Sequence, residues 1–192
     1  MVLCPSGRIP LKIFEVRYLD MVRNCLRNKS SFAIVTILPD GETDTEGNFP
    51  FANVGTMVSI DEADVTTVGL MMIVCIGQQR VKVESFIQQP DGLIIGEVRD
   101  ILNDMFMPIP EDLILAQRVL KQLLISLADQ DSTLKNMPVL EPYEFENATW
   151  VSNRWVELLD LPILQKHRLM QMASPTLRLE LICNILSDNN IQ

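Results

Sequence analysis

The spacing of apolar residues in this 192-residue chain changes period once, near residue 105, and no other feature limits its fold as tightly. Upstream, apolar residues favour every second position, as they must where a strand shows alternate side chains to opposite faces. The stretch "VGTMVSI" (54–60) puts Val54, Thr56, Val58 and Ile60 on one face and Gly55, Met57 and Ser59 on the other. "QRVKVESFI" (79–87) sets Val81, Val83, Ser85 and Ile87 against Arg80, Lys82 and Glu84. "SFAIVTIL" (31–38) is rich in β-branched and apolar residues, and "LMMIVCIG" (70–77) is continuously apolar, like a strand covered on both faces. Pro90, Asp91 and Gly92 supply a turn before "LIIGEVRDIL" returns as a further strand. Short strands joined by turns predict a barrel or a sandwich. One helix interrupts them: Phe14, Tyr18, Met21, Val22 and Cys25 recur at helical spacing, ending near Asn28. The acidic segment "PDGETDTEGNF" (39–49) is expected to be the most mobile loop of this half.

After "MFMPIPED" the period becomes that of a helix. Leu113, Ala116, Leu120, Leu123, Leu124 and Leu127 form one stripe, with Glu111 and Asp112 placed against the positive end of the helix dipole. "NATWVSNRWVELLD", "PILQKHRLMQMA" and "SPTLRLELICNILSD" predict three more helices, the last opened by Ser174 as N-cap and Pro175 in the first turn. The fold class is therefore α+β: a β-rich domain over residues 1–104, then a helical bundle over 105–192.

Charge narrows the function. The net charge is −9, with nine Lys/Arg against fourteen Asp/Glu in residues 1–104 and seven against eleven in 105–192. Neither half has the basic balance that a phosphate backbone demands. No apolar run approaches the ~20 residues of a membrane span, and "MVLCPSGRI" has no basic segment followed by an apolar one, so the chain reads as cytoplasmic. Cys4, Cys25, Cys75 and Cys183 are far apart and three of them sit in apolar patterns, which predicts buried free thiols in a reducing compartment.

Candidate chemistry fails on context. "MVSIDEADV" imitates the magnesium-binding strand end of a nucleotide-driven helicase, but no Gly-Lys pair exists to build the phosphate cradle, so it reads as an acidic turn after a strand. His167 is the only histidine, has no cysteine or carboxylate cluster for a metal, and has no Gly-x-Ser-x-Gly elbow for a triad; it is expected to be an exposed helix residue. Trp150 and Trp155, five apart on one helix, point in different directions, which predicts one in the core and one partly exposed. No catalytic, cofactor-binding or metal-ligating residue is assigned, and no cofactor.

Taken in order, "RIPLKIFEVRYLDMV", "FAIVTIL", "VGTMVSIDEADV" and "IGQQRVKVESF" resemble the N-terminal substrate-binding domain of the Lon protease family, over residues 2–102. The C-terminal "LPILQKHRLMQMASPTLRLELICNIL" resembles the helical segment that follows it in that family. The resemblance implies a PUA-like pseudo-barrel of about six strands with one inserted helix, then a helical bundle. It also implies a stand-alone bacterial recognition module without the ATPase and protease domains, so not an enzyme. Its structural residues would be Pro10, Phe14, Glu15, Arg17, Tyr18, Gly55, Gly77 and Arg80. Pro10 suits a strand edge. Phe14 and Tyr18 would anchor the helix, Glu15 would pair with Arg80, and Gly55 and Gly77 would mark bends or close backbone approaches. "CPSG" stands where the family commonly has "FPGG", so the first strand is expected to be shortened and its neighbour's edge partly exposed. The partners implied are unfolded or specific protein clients, met at an apolar groove or an open sheet edge. The alternatives are an RNA-binding PUA-like module, which needs a basic aromatic face, and an unrecognised hydrolase, which needs a nucleophile beside a base.

Overall fold

The computed structural model describes residues 1–38, 50–67, 69–130, 137, 139 and 141–189, so the acidic segment 39–49 lies outside the described residues. The chain divides into two compact units, Leu3–Asn103 and Asp104–Gln192. The first holds β1 (Arg8–Ile13), α1 (Val16–Asn28), β2 (Phe32–Ile37), β3 (Phe51–Thr67), β4 (Leu70–Gln88) and β5 (Ile94–Asp100). The second holds a 3-10 turn at Glu111–Leu113, then α2 (Ile114–Gln130), α3 (Ala148–Leu158), α4 (Ile163–Gln171) and α5 (Pro175–Asp188). The fold class is as expected, with five strands among the described residues rather than six.

The strand count falls because one long strand, β4, replaces two short ones, while β3 runs on through an expected turn. β3 and β4 pair antiparallel from Val54–Lys82 to Thr67–Leu70, and bulges between Met57/Val58, Ile60/Glu62 and Val65/Thr67 absorb their curvature. "LMMIVCIG" and "QRVKVESFI" are thus one strand of 19 residues. "DEAD" is no turn: Asp61 to Asp64 lie within β3, exposed, with Glu62 opposite Val74. The strand order is β1-β4-β3-β2, and β5 also joins β4. β4 therefore serves two neighbours in succession, β1 along Met71–Ile76 and β5 along Val81–Gln88.

The amphipathic α1 closes one end of the core. Its buried Leu19 and Val22 pack with Ile9, Val58, Ile73 and Cys75. Lys29, in the left-handed region at φ 51, ends the helix. A second cluster joins Phe51 and Val83, with Phe51 and Phe86 edge to face at 5.2 Å. No strand precedes Arg8 among the described residues. Residues 3–7 instead lie against β3 and β4 through single bonds: Thr56 Oγ1 donates to the Leu3 carbonyl at 2.6 Å, Ser6 N to Gly77 O at 2.8 Å, and Gly77 N to Gly7 O at 2.8 Å.

All four cysteines are free and buried. Burial pushes the Cys75 thiol up to about 11, with a smaller contribution from Cys25. An unfolded thiol ionises at about 8.5. Above that pH the unfolded chain releases a proton that the folded chain keeps, so stability present below about pH 8.5 is lost as pH rises toward about 11. The urea midpoint should therefore fall between about pH 8 and about pH 10.5, and Cys75→Val should lessen the fall. An equal fall in both proteins would contradict the assignment.

In the second unit Trp150 and Trp155 are both buried, not one of them. Trp155 sits under α2, its Nε1 donating to the Ala116 carbonyl at 2.9 Å, and Trp150 packs against Tyr143 and Phe145. His167 is likewise buried rather than exposed. Two helices of a small bundle can cover a third on more than one side, which helical period alone does not reveal. Both predicted start signals of the last helix are present: the Ser174 hydroxyl accepts from Leu177 N as N-cap, and Pro175 opens α5.

Candidate protein-binding surfaces

At the start of α1, Glu15 is the N-cap residue but its carboxylate turns to Arg17, accepting from Nε at 2.9 Å and Nη2 at 2.7 Å. Arg17 Nη1 donates to the Gly92 carbonyl at 2.8 Å, in the turn between β4 and β5, and its guanidinium lies 4.7 Å from the Tyr18 ring. Three of the family-motif residues thus tie α1 to the tip of the β4–β5 hairpin. The expected partner of Glu15 is wrong: Arg80 is buried on β4 opposite Thr56, while Glu15 stays near the surface with the cation two residues away. Local geometry wins because a carboxylate two residues from an arginine forms a two-point bond without desolvating either group. Phe14 is no anchor either: it is 65% exposed, and Leu19, Val22 and Cys25 face inward instead.

Pro10 lies exposed on β1, opposite Val74, where its missing N–H costs no central ladder bond. A Cβ at Gly55 would stand 2.5 Å from the Ile34 carbonyl oxygen, and one at Gly77 would collide with the Cys4 carbonyl. Both glycines let two backbones approach where a side chain would part them.

The first open surface of this unit is β5. All seven of its residues are exposed, and among the described residues β4 is its sole strand neighbour. Ile94, Ile95 and Val98 are exposed on it, together with Ile87 on the adjoining end of β4.

The second unit carries a groove of about 470 Å³ along α2. Leu124, Ile125 and Ala128 from α2 form one wall, and Val139, Tyr143 and Phe145 the other. Its charged residues among those described are Lys121 and Glu141, and the Lys121 ammonium lies 5.8 Å from the Phe145 ring. Alternation builds the second wall: Glu141, Tyr143 and Phe145 line the groove, while Glu146 accepts from Gln117 at 3.1 Å.

Two residues beyond Phe145, the same segment pins a ridge of exposed apolar side chains: Met105 (84% exposed), Phe106 (65%) and Met107 (40%). Asn147 caps α3 by accepting from Thr149 N, and the same oxygen accepts from Met107 N at 3.4 Å. Ala148 N donates to the Met107 carbonyl at 2.7 Å and Thr149 Oγ1 to the Met105 carbonyl at 2.9 Å. The helix terminus thus fixes the backbone that displays the ridge, which lowers the entropy a partner must overcome. In the sequence "MFMP" reads only as a boundary. Its signal is nonetheless present there, as three apolar residues that belong to neither period.

An antiparallel sheet with one helix after its first strand, followed by a separate helical unit, is the architecture of a Lon N-terminal domain. Residues 1–188 match the ATP-dependent protease La (LON) substrate-binding domain, and the chain belongs to that family. A Lon N-terminal domain protein from Xanthomonas campestris is 32% identical, with a TM-score of 0.74 over 95% of this chain and 92% of that one. The N-terminal domain of a Mycobacterium avium complex Lon protease shares the fold at 14% identity, with a TM-score of 0.62 over 98% of this chain and 94% of that one. Protein cereblon of Danio rerio is 26% identical over 110 residues, which is 57% of this chain and 25% of cereblon's own length. Membership makes the chain a substrate-recognition domain. Among the described residues no helix is long and apolar enough to cross a membrane, and no group of three His, Cys, Asp or Glu could hold a metal.

Proposed function

We propose that the chain is a non-catalytic cytoplasmic module that binds unfolded or specific protein clients, and that apolar client side chains enter the groove of the helical unit. The observation that carries this reading is the groove itself, walled by aliphatic and aromatic side chains and, among the described residues, charged only at Lys121 and Glu141. Unfolded polypeptides differ from folded ones in displaying apolar side chains, and an apolar groove with few polar groups discriminates on that basis. The Met105–Phe106–Met107 ridge extends the same chemistry, because methionine adapts to many partner shapes. Catalysis has no support from the thiols: burial raises the pKa of Cys75 and Cys183, the reverse of what activates a nucleophile.

A permanently unfolded, carboxymethylated protein is the probe. Its binding, followed by fluorescence anisotropy, should weaken about tenfold or more in Ile125→Glu, because a carboxylate then enters the apolar wall at a cost above about 1.4 kcal/mol. Ile125 is 53% exposed, so the fold tolerates the change. Phe106→Ser should weaken binding less. No binding by the parent chain, or equal binding by Ile125→Glu, overturns the assignment.

A further inference from the structure

We propose that β5 pairs edge to edge with β5 of a second copy of this chain, antiparallel, about a two-fold axis at Val98. The register on β4 fixes the faces of the strand. Ile95 opposes Ile87 and Glu97 opposes Ser85, whose hydroxyl donates to Glu97 Oε2 at 3.0 Å, so Ile95, Glu97 and Arg99 share one face. Ile94, Gly96, Val98 and Asp100 share the other. The ladder runs on past the strand, since Ile101 N donates to the Arg80 carbonyl at 2.9 Å. Leu102, the next residue, is 89% exposed.

A two-fold axis normal to a sheet leaves each face on its own side, so it must pass through a residue of the strand. That limits the registers to a few. An axis at Glu97, Arg99 or Asp100 sets like charges directly opposite each other. An axis at Ile94 sets Glu97 against Asp91, one at Ile95 sets Glu97 against Leu93, and one at Gly96 sets Ile95 against Glu97 and Leu93 against Arg99. Only the axis at Val98 matches both faces. It pairs Glu97 with Arg99 of the second copy, twice, and Ile95 with Ile101, twice. On the other face it pairs Gly96 with Asp100 and Ile94 with Leu102, twice each, around a central Val98–Val98 contact.

This register accounts for features that are otherwise unrelated. Ile94, Ile95, Val98 and Leu102 are all exposed apolar residues, on an edge where sheet proteins ordinarily place charge. The two charges on one face, Glu97 and Arg99, stand two apart with opposite signs, which is the spacing a two-fold axis between them requires, while Asp100 lies on the other face. Within one chain Arg99 Nε reaches Glu84 at 2.8 Å, but both side chains are exposed, so this pair exchanges readily. The β5 edge belongs to the first unit and the groove to the second.

Sedimentation equilibrium of the full chain, from about 5 to about 500 µM, tests it. The chain should dimerise. Glu97→Arg should weaken dimerisation about tenfold or more by setting two arginines opposite each other, and Arg99→Glu should do the same by setting two glutamates opposite. The double exchange E97R/R99E should restore it. An equimolar mixture of the two single variants should form a heterodimer, because every cross-strand pair is again of opposite sign. Unchanged unfolding temperatures verify that the exposed substitutions leave the fold intact. A chain that stays monomeric over this range, or variants that all dimerise like the parent, overturns the proposal.

Discussion

Replacing Arg178 by leucine is expected to destabilise the helical unit by about 3–5 kcal/mol, the cost of removing one partner from a buried charge pair. Arg178 is fully buried on α5. Its Nη2 donates to Asp104 Oδ2 at 2.8 Å and to the Met172 carbonyl at 2.7 Å, while Nη1 reaches Ser152 and Asn153 on α3. One guanidinium thus joins the first residue of the unit, the end of α4 and the middle of α3. The planar fork of arginine suits such divided bonding, and leucine takes away the charged donor that the almost wholly buried Asp104 carboxylate accepts from. Both tryptophans of the chain lie in this unit, so urea unfolding followed by their fluorescence reports it alone. Arg178→Lys should fall between parent and leucine variant, keeping the charge and losing the fork. A loss below about 1 kcal/mol for the leucine variant would show that the network contributes little beyond packing.

The second large effect is expected at Gly77. Gly77→Ala should cost the β unit about 3 kcal/mol, at the upper end of overpacking costs, because the new Cβ meets backbone and not a movable side chain. The obstacle is the Cys4 carbonyl, and the reciprocal bonds from Gly77 to Gly7 and Ser6 hold that backbone in place. Relief requires residues 4–7 to leave the sheet, uncovering the buried Leu3 and Cys4. Gly96→Ala provides the contrast. Its Cβ would meet the Ser85 carbonyl at 3.3 Å on an exposed hairpin that can yield, and the cost should stay below about 1 kcal/mol. Calorimetry of the two variants checks the difference: a similar fall in both unfolding temperatures would mean that Gly77 is not a close-approach site.

Much of this fold is legible in the sequence because its signals are local. The single change of period separates strands from helices, the Pro90–Gly92 turn places the β4–β5 hairpin, and Ser174–Pro175 fixes the start of α5. Strand lengths are not legible. A bulge lets a strand bend and continue, so the two stretches that read as separate strands over 70–87 are β4 without a break, and β3 continues through the expected acidic turn. Charge pairing misleads for a related reason. The motif alone joins Glu15 to a distant arginine, whereas the nearest cation, Arg17, is already in reach.

The surfaces divide in the same way. Expecting an apolar groove or an open sheet edge is a statement of chemistry, and it carries no position. The groove needs α2 beside Val139, Tyr143 and Phe145, the ridge needs Asn147 beside Met107, and the β5 edge needs β4 to spend its other positions on β1 and β3.

By itself the sequence determined the period of each half, the turn and cap chemistry, the family and the absence of a phosphate cradle. Most of these depend on residues within a turn or two of each other, where sterics and side-chain identity suffice. Only the tertiary structure decided that Arg17 meets Gly92, that Arg178 meets Asp104, and that Phe14 faces water while both tryptophans do not. Those outcomes join positions more than seventy residues apart, or depend on which neighbour covers a helix face. No local pattern encodes either one, because the energy that selects them comes from burial and pairing in the folded chain.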